Sequence, residues 1–505
     1  MAQPLQSINL VAPAFKGVNT EDSPLAQDPS FADVADNAVI DKRGRIAARK
    51  GLKTITEDRT ELGADYVHSI HEFFDEAGNE KIFSFGNDKI LSGTTTLVDE
   101  TPSGYPIAEN DWRSVNFNDA AYFFQRGQEP LIYTHAGGVQ TFSDYTGNTT
   151  PTYLWCNEAL AAYGRLWVAD SNEGAQTIYW SDLLIGTSFD GGSSGSIDIS
   201  KAWPDGADSV VSITAHNGLL IIFGKHSIIV YQGAESPANM EIADTVPGVG
   251  CIDRNSVQHI GTDVLFLDDS GLRSFGRTIQ EKSMPISDLS GNIKTEFIEI
   301  IANRQGPVAT LYSANNTFYL VSFPENNLTY CFDVKGVTEN GSYRVTRWPS
   351  SAFFSFETLR NGQLLVGNSF GLSEYAGYAD NGSSYRFRYY SPGLTFGDPS
   401  KLKILKKLRP TIVGANSATV FIKWAYDFET TFRTQEYTVG AQNPSLYNVD
   451  EFTVGEFTGG TLVSRRSINT TGDGSVITIG FESAINGSAL SLQEINVLAL
   501  IGKTL

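Results

Sequence analysis

The six histidines of this 505-residue chain are His68, His71, His135, His216, His226 and His259. Only His68 and His71 are close, and their surroundings, HSIHEFFDE, lack the HExxH spacing that sets two ligands on one face of a zinc-binding helix. Gly191-Gly192-Ser193-Ser194-Gly195 matches the letters G-x-S-x-G. A hydrolase elbow needs a buried strand before the serine and a helix after it. The flanking SFDGGSSGSIDIS is a polar loop with no helix following, so it reads as a turn. Cys156, Cys251 and Cys331 each stand alone without a CxxC, and an odd number cannot complete a disulfide framework. Cys251 and Cys331 sit in apolar company and read as small core residues, which suits a reducing site of synthesis.

Two acidic stretches complete the search. Residues 170–180, DSNEGAQTIYW, resemble the Asp-box turns of sialidase propellers. Only one copy is visible, and a sialidase also needs clustered arginines for the substrate carboxylate, so a turn is the better reading. Asp268-Asp269 lies in a tight turn, where aspartate caps its own backbone. No catalytic, cofactor-binding or metal-ligating constellation emerges, and no enzyme activity is expected.

The elements that would position any such residues are short strands. Residues 219–223 turn through 224–227 into 228–231, and 264–267 turn through 268–271 into 272–275. Runs rich in Val, Ile, Phe and Tyr around Gly/Asp/Ser turns read as β-hairpins. Five more follow the same design: 81–85 with 89–91, 120–124 with 131–133, 165–168 with 177–180, 317–323 with 328–332, and 364–366 with 372–375. The seven start 39, 45, 54, 45, 53 and 47 residues apart. An all-β unit of roughly 40–50 residues is the period of a β-propeller blade, and ring closure protects the strand edges. The sequence therefore predicts an all-β chain with a propeller of six to seven blades over residues 61–380. A series of β-sandwiches is the alternative.

Outside that region the texture changes. Residues 1–60 form an opening segment with a short helix expected near 31–37. A basic cluster follows: Lys42, Arg43, Arg45, Arg49, Lys50 and Lys53. It reads either as a solvated hairpin around Gly44 or as a docking arm for an acidic partner or a phosphate backbone. An amphipathic helix is expected at 292–302, where Ile293, Phe297 and Ile301 repeat every fourth residue. It would cap one face of the ring or meet a neighbouring subunit, with packing inside its own chain as the default. NGSS at 381–384 reads as a linker. Residues 381–505 then carry six longer strand candidates at 385–390, 408–413, 418–426, 435–439, 475–481 and 493–500, the pattern of an antiparallel sandwich. KLKILKKLRP at 401–410 is expected as an edge strand guarded by lysines, or as an intersubunit or DNA-facing contact.

The formal charge is −20, which argues against a surface that grips nucleic acid but permits a channel lining that nucleic acid slides past; solubility alone accounts for it equally well. No apolar run is long enough to span a bilayer. The opening MAQPLQSINLVAPAF has neither a basic n-region nor a continuous apolar h-region, so export by a signal peptide is not expected.

Three stretches resemble the nozzle, or tail-hub, proteins of short-tailed bacteriophages. They are FKGVNTEDSPLAQDPSFADVADNAVIDKRGRIAARKGLK at 15–53, residues 161–231 with YGRLWVADSN and AHNGLLIIFGKHSIIVYQG, and VPGVGCIDRNSVQHIGTDVLFLDDSGLRSF at 246–275. They cover about a third of the chain. The resemblance implies a virion protein, made in the host cytoplasm, that joins a propeller to a smaller platform built from the N- and C-terminal parts. It implies a homohexamer below the portal adaptor, next to tail fibre, spike or needle proteins, with DNA leaving through the lumen without specific binding. It also implies no cofactor and makes Lys42–Lys53 a candidate contact to the adaptor or a neighbouring subunit. A receptor-binding tail component and a glycan-processing propeller enzyme are the competing readings.

Overall fold

The computed structural model describes residues 5–86, 88–107, 111–281, 288–415, 417–440 and 463–504. Seven antiparallel sheets stand around one axis as the blades of a propeller. Blade 1 comprises Ser69–Phe74, Glu80–Phe85, Ile90–Ser92 and Val98–Asp99. Blade 2 comprises Trp112–Phe117, Ala120–Gln125, Leu131–Thr134 and Gly138–Thr141. Blade 3 runs from Cys156–Ala162 to Gly195–Asp198, and blade 4 from Val210–His216 to Glu241–Pro247. Blade 5 has three strands, Gln258–His259, Val264–Asp268 and Gly271–Ser274. Blade 6 runs from Ala309–Ser313 to Tyr343–Pro349. Blade 7 takes Ser355–Thr358, Leu364–Asn368 and Gly371–Tyr375 from one part of the chain and Leu52–Thr54 from another. Among the described residues the ring thus holds six four-stranded blades and one of three strands.

The seven predicted hairpins are the second and third strands of the seven blades. Their continuous apolar character follows from burial on both faces. On Leu219–Gly224 of blade 4, Leu220 and Ile222 pack against Trp167 and Ile178 of blade 3, while Ile221 and Phe223 pack against Val264 and Phe266 of blade 5. This alternation is the two-residue period of a strand. Between blades 1 and 2, Phe83 meets Phe123 at 5.1 Å and Tyr133 at 4.8 Å between ring centroids. Each such buried ring contributes about 2–3 kcal/mol of apolar burial.

Among the described residues, blade 5 has helices after its third strand and no fourth strand. Phe275–Glu281 and Lys294–Ala302 both pack against it. The second is the amphipathic segment expected from the sequence, and it packs within its own chain. Its Phe297 lies against Tyr330 and Phe332 of blade 6, with ring centroids 5.0 and 5.5 Å away.

The ring closes through Leu52–Thr54, which pairs with the third strand of blade 7, Leu52 opposite Tyr375 and Thr54 opposite Ser373. At the seam between blades 7 and 1, Ser355 Oγ donates to the Val67 carbonyl at 2.7 Å. The Arg360 N–H donates to Glu72 Oε2 at 2.8 Å. Burial and the neighbouring Glu72 carboxylate push the Glu357 carboxyl up to about 8.

The two terminal parts build a platform of two facing sheets. One has the order Ala38–Ile40, Ile46–Ala48, Leu490–Thr504, Lys401–Gly414 and Val463–Arg465, with Gln6–Leu10 also paired to Leu490–Thr504. The other contains Val34–Asp36, Tyr385–Tyr390, Ile477–Ile485, Thr419–Tyr426 and Arg433–Thr438. It continues blade 6 through the parallel pair Asp36 and Arg347, giving one nine-stranded sheet. Leu405, Leu408, Ile412, Val497, Ile479 and Phe481 fill the space between the sheets.

Two expectations are corrected here. Residues 31–37 are not a helix: Val34–Asp36 is a strand between blade 6 and Tyr385–Tyr390, ended by Asn37 at φ 51°. The Asn37 side chain donates to the Arg386 carbonyl at 2.8 Å, and the sheet partners outweigh local helix preference. Nor is 401–410 an edge. Lys401–Gly414 has Leu490–Thr504 on one side and three short strands on the other. Lys403 is fully buried there, its ammonium donating to the carbonyls of Asp398 and Ser475, and burial lowers its pKa.

Arg49 joins platform to propeller. It is 2 % exposed and forms a two-pronged ion pair with Asp380 at 2.9 and 2.6 Å, while its Nε donates to Asn37 Oδ1 at 3.0 Å. Its guanidinium lies 4.2 Å from the Tyr385 ring centre. Arg49→Leu would leave Asp380 without its partner and should lower stability in urea denaturation by about 3–5 kcal/mol. Leu52→Asp, in the closing strand, should cost about 2–5 kcal/mol by the same measurement. The Glu357 carboxyl is raised in the folded state, so stability is lost as pH climbs from the ordinary glutamate range through about 8. Glu357→Gln should therefore raise the melting temperature at about pH 9 and leave it nearly unchanged at about pH 5. Equal shifts at both would refute the buried carboxyl's role.

Candidate functional site

The basic cluster separates into three places. Lys42 and Arg43 are exposed at the tip of the hairpin formed by Ala38–Ile40 and Ile46–Ala48. Asp41 shapes that tip: its Oδ1 accepts from the Arg43 N–H at 2.8 Å and the Arg45 N–H at 3.0 Å, and its Oδ2 pairs with Arg45 Nε at 2.6 Å. Gly44 sits at φ 77°, a conformation that favours glycine. Lys335 reaches the same tip, donating to the carbonyls of Ile40 at 2.7 Å and Asp41 at 3.1 Å. Arg45 is spent on Asp41, and Arg49 is the buried joint already described. Lys50 and Lys53 are exposed beyond the far end of the hairpin, Lys50 Nζ lying 5.9 Å from the Tyr375 ring centre. One free-standing basic tip remains, made by Lys42 and Arg43.

A second polar centre lies on the propeller axis, where the inner strands begin. Asp111 and Arg113 come from the start of blade 2, Glu158 from the first strand of blade 3, Ser212 from blade 4, and Arg254 from the turn before blade 5. Arg254 pairs with Asp111 at 2.7 Å and stands 3.8 Å from Glu158. Arg113 pairs with Glu158 at 3.1 Å, and Ser212 Oγ donates to the same carboxylate at 3.2 Å. Glu158 is fully buried and Arg254 is 3 % exposed. Burial raises the Glu158 pKa against the pull of the two guanidinium groups. Among the described residues, Glu158 Oε2 and Arg254 Nε have no hydrogen-bond partner. The partners in these ion pairs are 45 to 143 positions apart in sequence, so no local motif announces them; only the fold brings them together.

Four of the six histidines and the serine of the G-x-S-x-G match have structural partners. His71 is held by Asn116 Oδ1 at 2.9 Å, and burial pushes its pKa down to about 4. His68 packs edge-on against Tyr66 and Phe354, with burial lowering its pKa. His216 and His259 come from different blades, and their ring centres are 5.9 Å apart. Among the described residues, no three His, Cys, Asp or Glu side chains gather as a metal site. Ser193 Oγ donates to Asp182 Oδ1 at 2.6 Å and accepts from Arg165 at 2.8 Å, which makes Gly191–Gly195 a cross-braced turn. Asp170 takes a left-handed φ of 55° and pairs with Arg126. All three cysteines are buried and free. No described helix is long and apolar enough to cross a membrane.

No protein-family model and no curated protein matches the chain. Solved structures similar to it include the extracellular domain of a putative one-component system from B. thetaiotaomicron, at 12% identity and TM-score 0.43. That match covers 65% of this chain and 40% of the other, so the chain spans about two fifths of that protein's length. The WD40 domain of Neurospora crassa Pan2 is similar at 11% identity and TM-score 0.36, over 65% of this chain and 94% of that one. Kluyveromyces lactis Hsv2 is similar at 10% identity and TM-score 0.31, over 57% and 99%.

Proposed function

We propose that the chain is a structural subunit of the tail nozzle of a short-tailed bacteriophage, assembling as a homohexamer below the portal adaptor around a lumen through which DNA is ejected. The observation that carries this reading is the joint platform. Strands 6–10, 38–40 and 46–48 from the N-terminal part are interleaved in one sheet with strands 401–414, 463–465 and 490–504 from the C-terminal part, and the facing sheet is continuous with blade 6. A propeller fused in this way to a platform is a rigid block suited to a load-bearing ring, and it matches what the sequence resemblance implies. The axial ion pairs also bear on where DNA would pass. Asp111, Arg113, Glu158 and Arg254 obstruct the propeller's own axis, so a lumen for duplex DNA would lie between subunits. The formal charge of −20 favours a lining that DNA does not adhere to.

The basic hairpin tip is the candidate contact to the adaptor or the neighbouring subunit. A cyclic ring joins two different surfaces of each subunit, and a positive tip on an acidic protein has complementary surface to meet. Negative-stain images of the purified protein are expected to show hollow six-fold rings. The double variant Lys42→Glu/Arg43→Glu should remain folded, with an unchanged melting curve, and fail to form them. Rings of normal yield from that variant would remove the tip from the interface, and isolated single propellers from the unaltered protein would count against the nozzle itself.

A further inference from the structure

Asp111 and Arg113 of the axial polar centre line a cavity of about 130 Å³ at the end of the ring where the inner strands begin. Its wall includes His68, Asp111, Arg113, Asn255, Gln258 and Phe354. A vestibule of about 210 Å³ shares His68, Asp111, Asn255 and Phe354 with it and opens past Pro307 and Glu325. The cavity therefore joins an open vestibule and draws its lining from several blades.

The charges on its wall are held from behind. Asp111 is fixed by Arg254 at 2.7 Å, and Arg113 is fixed by Glu158 at 3.1 Å and by the Ala159 carbonyl at 3.2 Å. A carboxylate and a guanidinium thus share one wall, each already neutralised by a partner. A bare anion would meet Asp111, and a bare cation would meet Arg113; neither is favoured. The Asn255 carbonyl is occupied by Thr310 Oγ1 and by Gln258 Nε2, and its N–H by Asp253. The Asn255 side-chain amide and Gln258 Oε1 have no partner among the described residues, so the wall adds a free donor–acceptor amide and a free acceptor. One side is aromatic: Phe354 is backed by Tyr66, stacked at 4.2 Å, and His68 meets it edge-on at 5.4 Å.

We propose that this cavity binds one neutral, hydroxyl-rich ring, a single sugar unit. Neighbouring hydroxyl groups donate to Asp111 and Gln258 and accept from Arg113 and Asn255, each hydroxyl being both donor and acceptor. Charged partners make such hydrogen bonds stronger than neutral ones. The C–H face of the ring lies against Phe354, in keeping with pockets that combine apolar walls and a few placed polar groups. This binding site is independent of the nozzle assignment, since it uses one subunit alone.

Saturation-transfer NMR on the full chain tests it, with D-glucose, D-galactose, N-acetyl-D-glucosamine and L-rhamnose as probes. The unaltered protein should transfer saturation to at least one of the four. Asn255→Leu and Gln258→Leu, which fill the cavity without touching the axial ion pairs, should each weaken that signal by about tenfold or more with an unchanged melting temperature. Should one variant fail to fold, the other decides. No transfer to any of the four sugars, transfer undiminished in a folded variant, or displacement of the sugar by inorganic phosphate would each overturn the proposal.

Discussion

A sheet whose middle strands are apolar on both faces cannot stand alone in water, and this requirement governs the molecule. Leu219–Gly224 sends alternate side chains to blades 3 and 5, so blade 4 is stable only between two neighbours. The same holds for every blade, and a linear stack would leave its first and last members with one face bare. Closing the ring removes both ends at once. The cost is a long loop to be closed, because Leu52–Thr54 must find Gly371–Tyr375 across more than 300 residues of chain. Loop-closure entropy grows only logarithmically with length, so an added strand with one buried leucine and a set of side-chain bonds is an adequate return.

That closing strand explains why platform and propeller are one body. Once residue 52 is fixed on blade 7, the segment before it is delivered to the side of blade 6, where Val34–Asp36 extends the sheet. The segment leaving blade 7 passes Asp380, which Arg49 holds, and enters the same sheet as Tyr385–Tyr390. Incoming and outgoing chains are thus clamped side by side by a buried guanidinium. Desolvating a charge of this kind is expensive, and it is tolerated because a carboxylate, an amide, a carbonyl and two aromatic rings surround it.

Legibility in the sequence tracked burial. The second and third strands of all seven blades were visible because two-sided burial makes them continuous apolar runs. The inner and outer strands were not: Val98–Asp99 is exposed, Gly138–Thr141 is half-buried, and neither carries a hydrophobic signature. The helix at Lys294–Ala302 was visible because it has one apolar stripe. Residues 31–37 misled because FADVADN lacks the β-branched run of a strand, and its place in the sheet is set by neighbours more than 300 positions away. The lysines of 401–410 suggested an edge, yet Lys403 is internal because two carbonyls satisfy its ammonium. In the basic arm, charge alone could not separate the exposed Lys42 and Arg43 from the buried Arg49; the difference lies in Asp380, 331 residues later.

The axis of the ring poses the reverse problem. Strands converging on a line leave too little room for large apolar side chains and too much for none, and the inner strands turn polar there. Glu158 could not be ionised alone in such a place; two arginines from other blades oppose the desolvation that raises its pKa. These pairs contribute little net stability compared with apolar packing of the same volume. What they supply is directional: a charge on blade 3 is satisfied only if blades 2 and 5 arrive at the correct height. A hole lined by hydroxyl groups alone would accept several registers between blades, whereas one filled by Asp111, Arg113, Glu158 and Arg254 accepts one. Two of these fixed charges, Asp111 and Arg113, also line the cavity at the end of the ring where the inner strands begin.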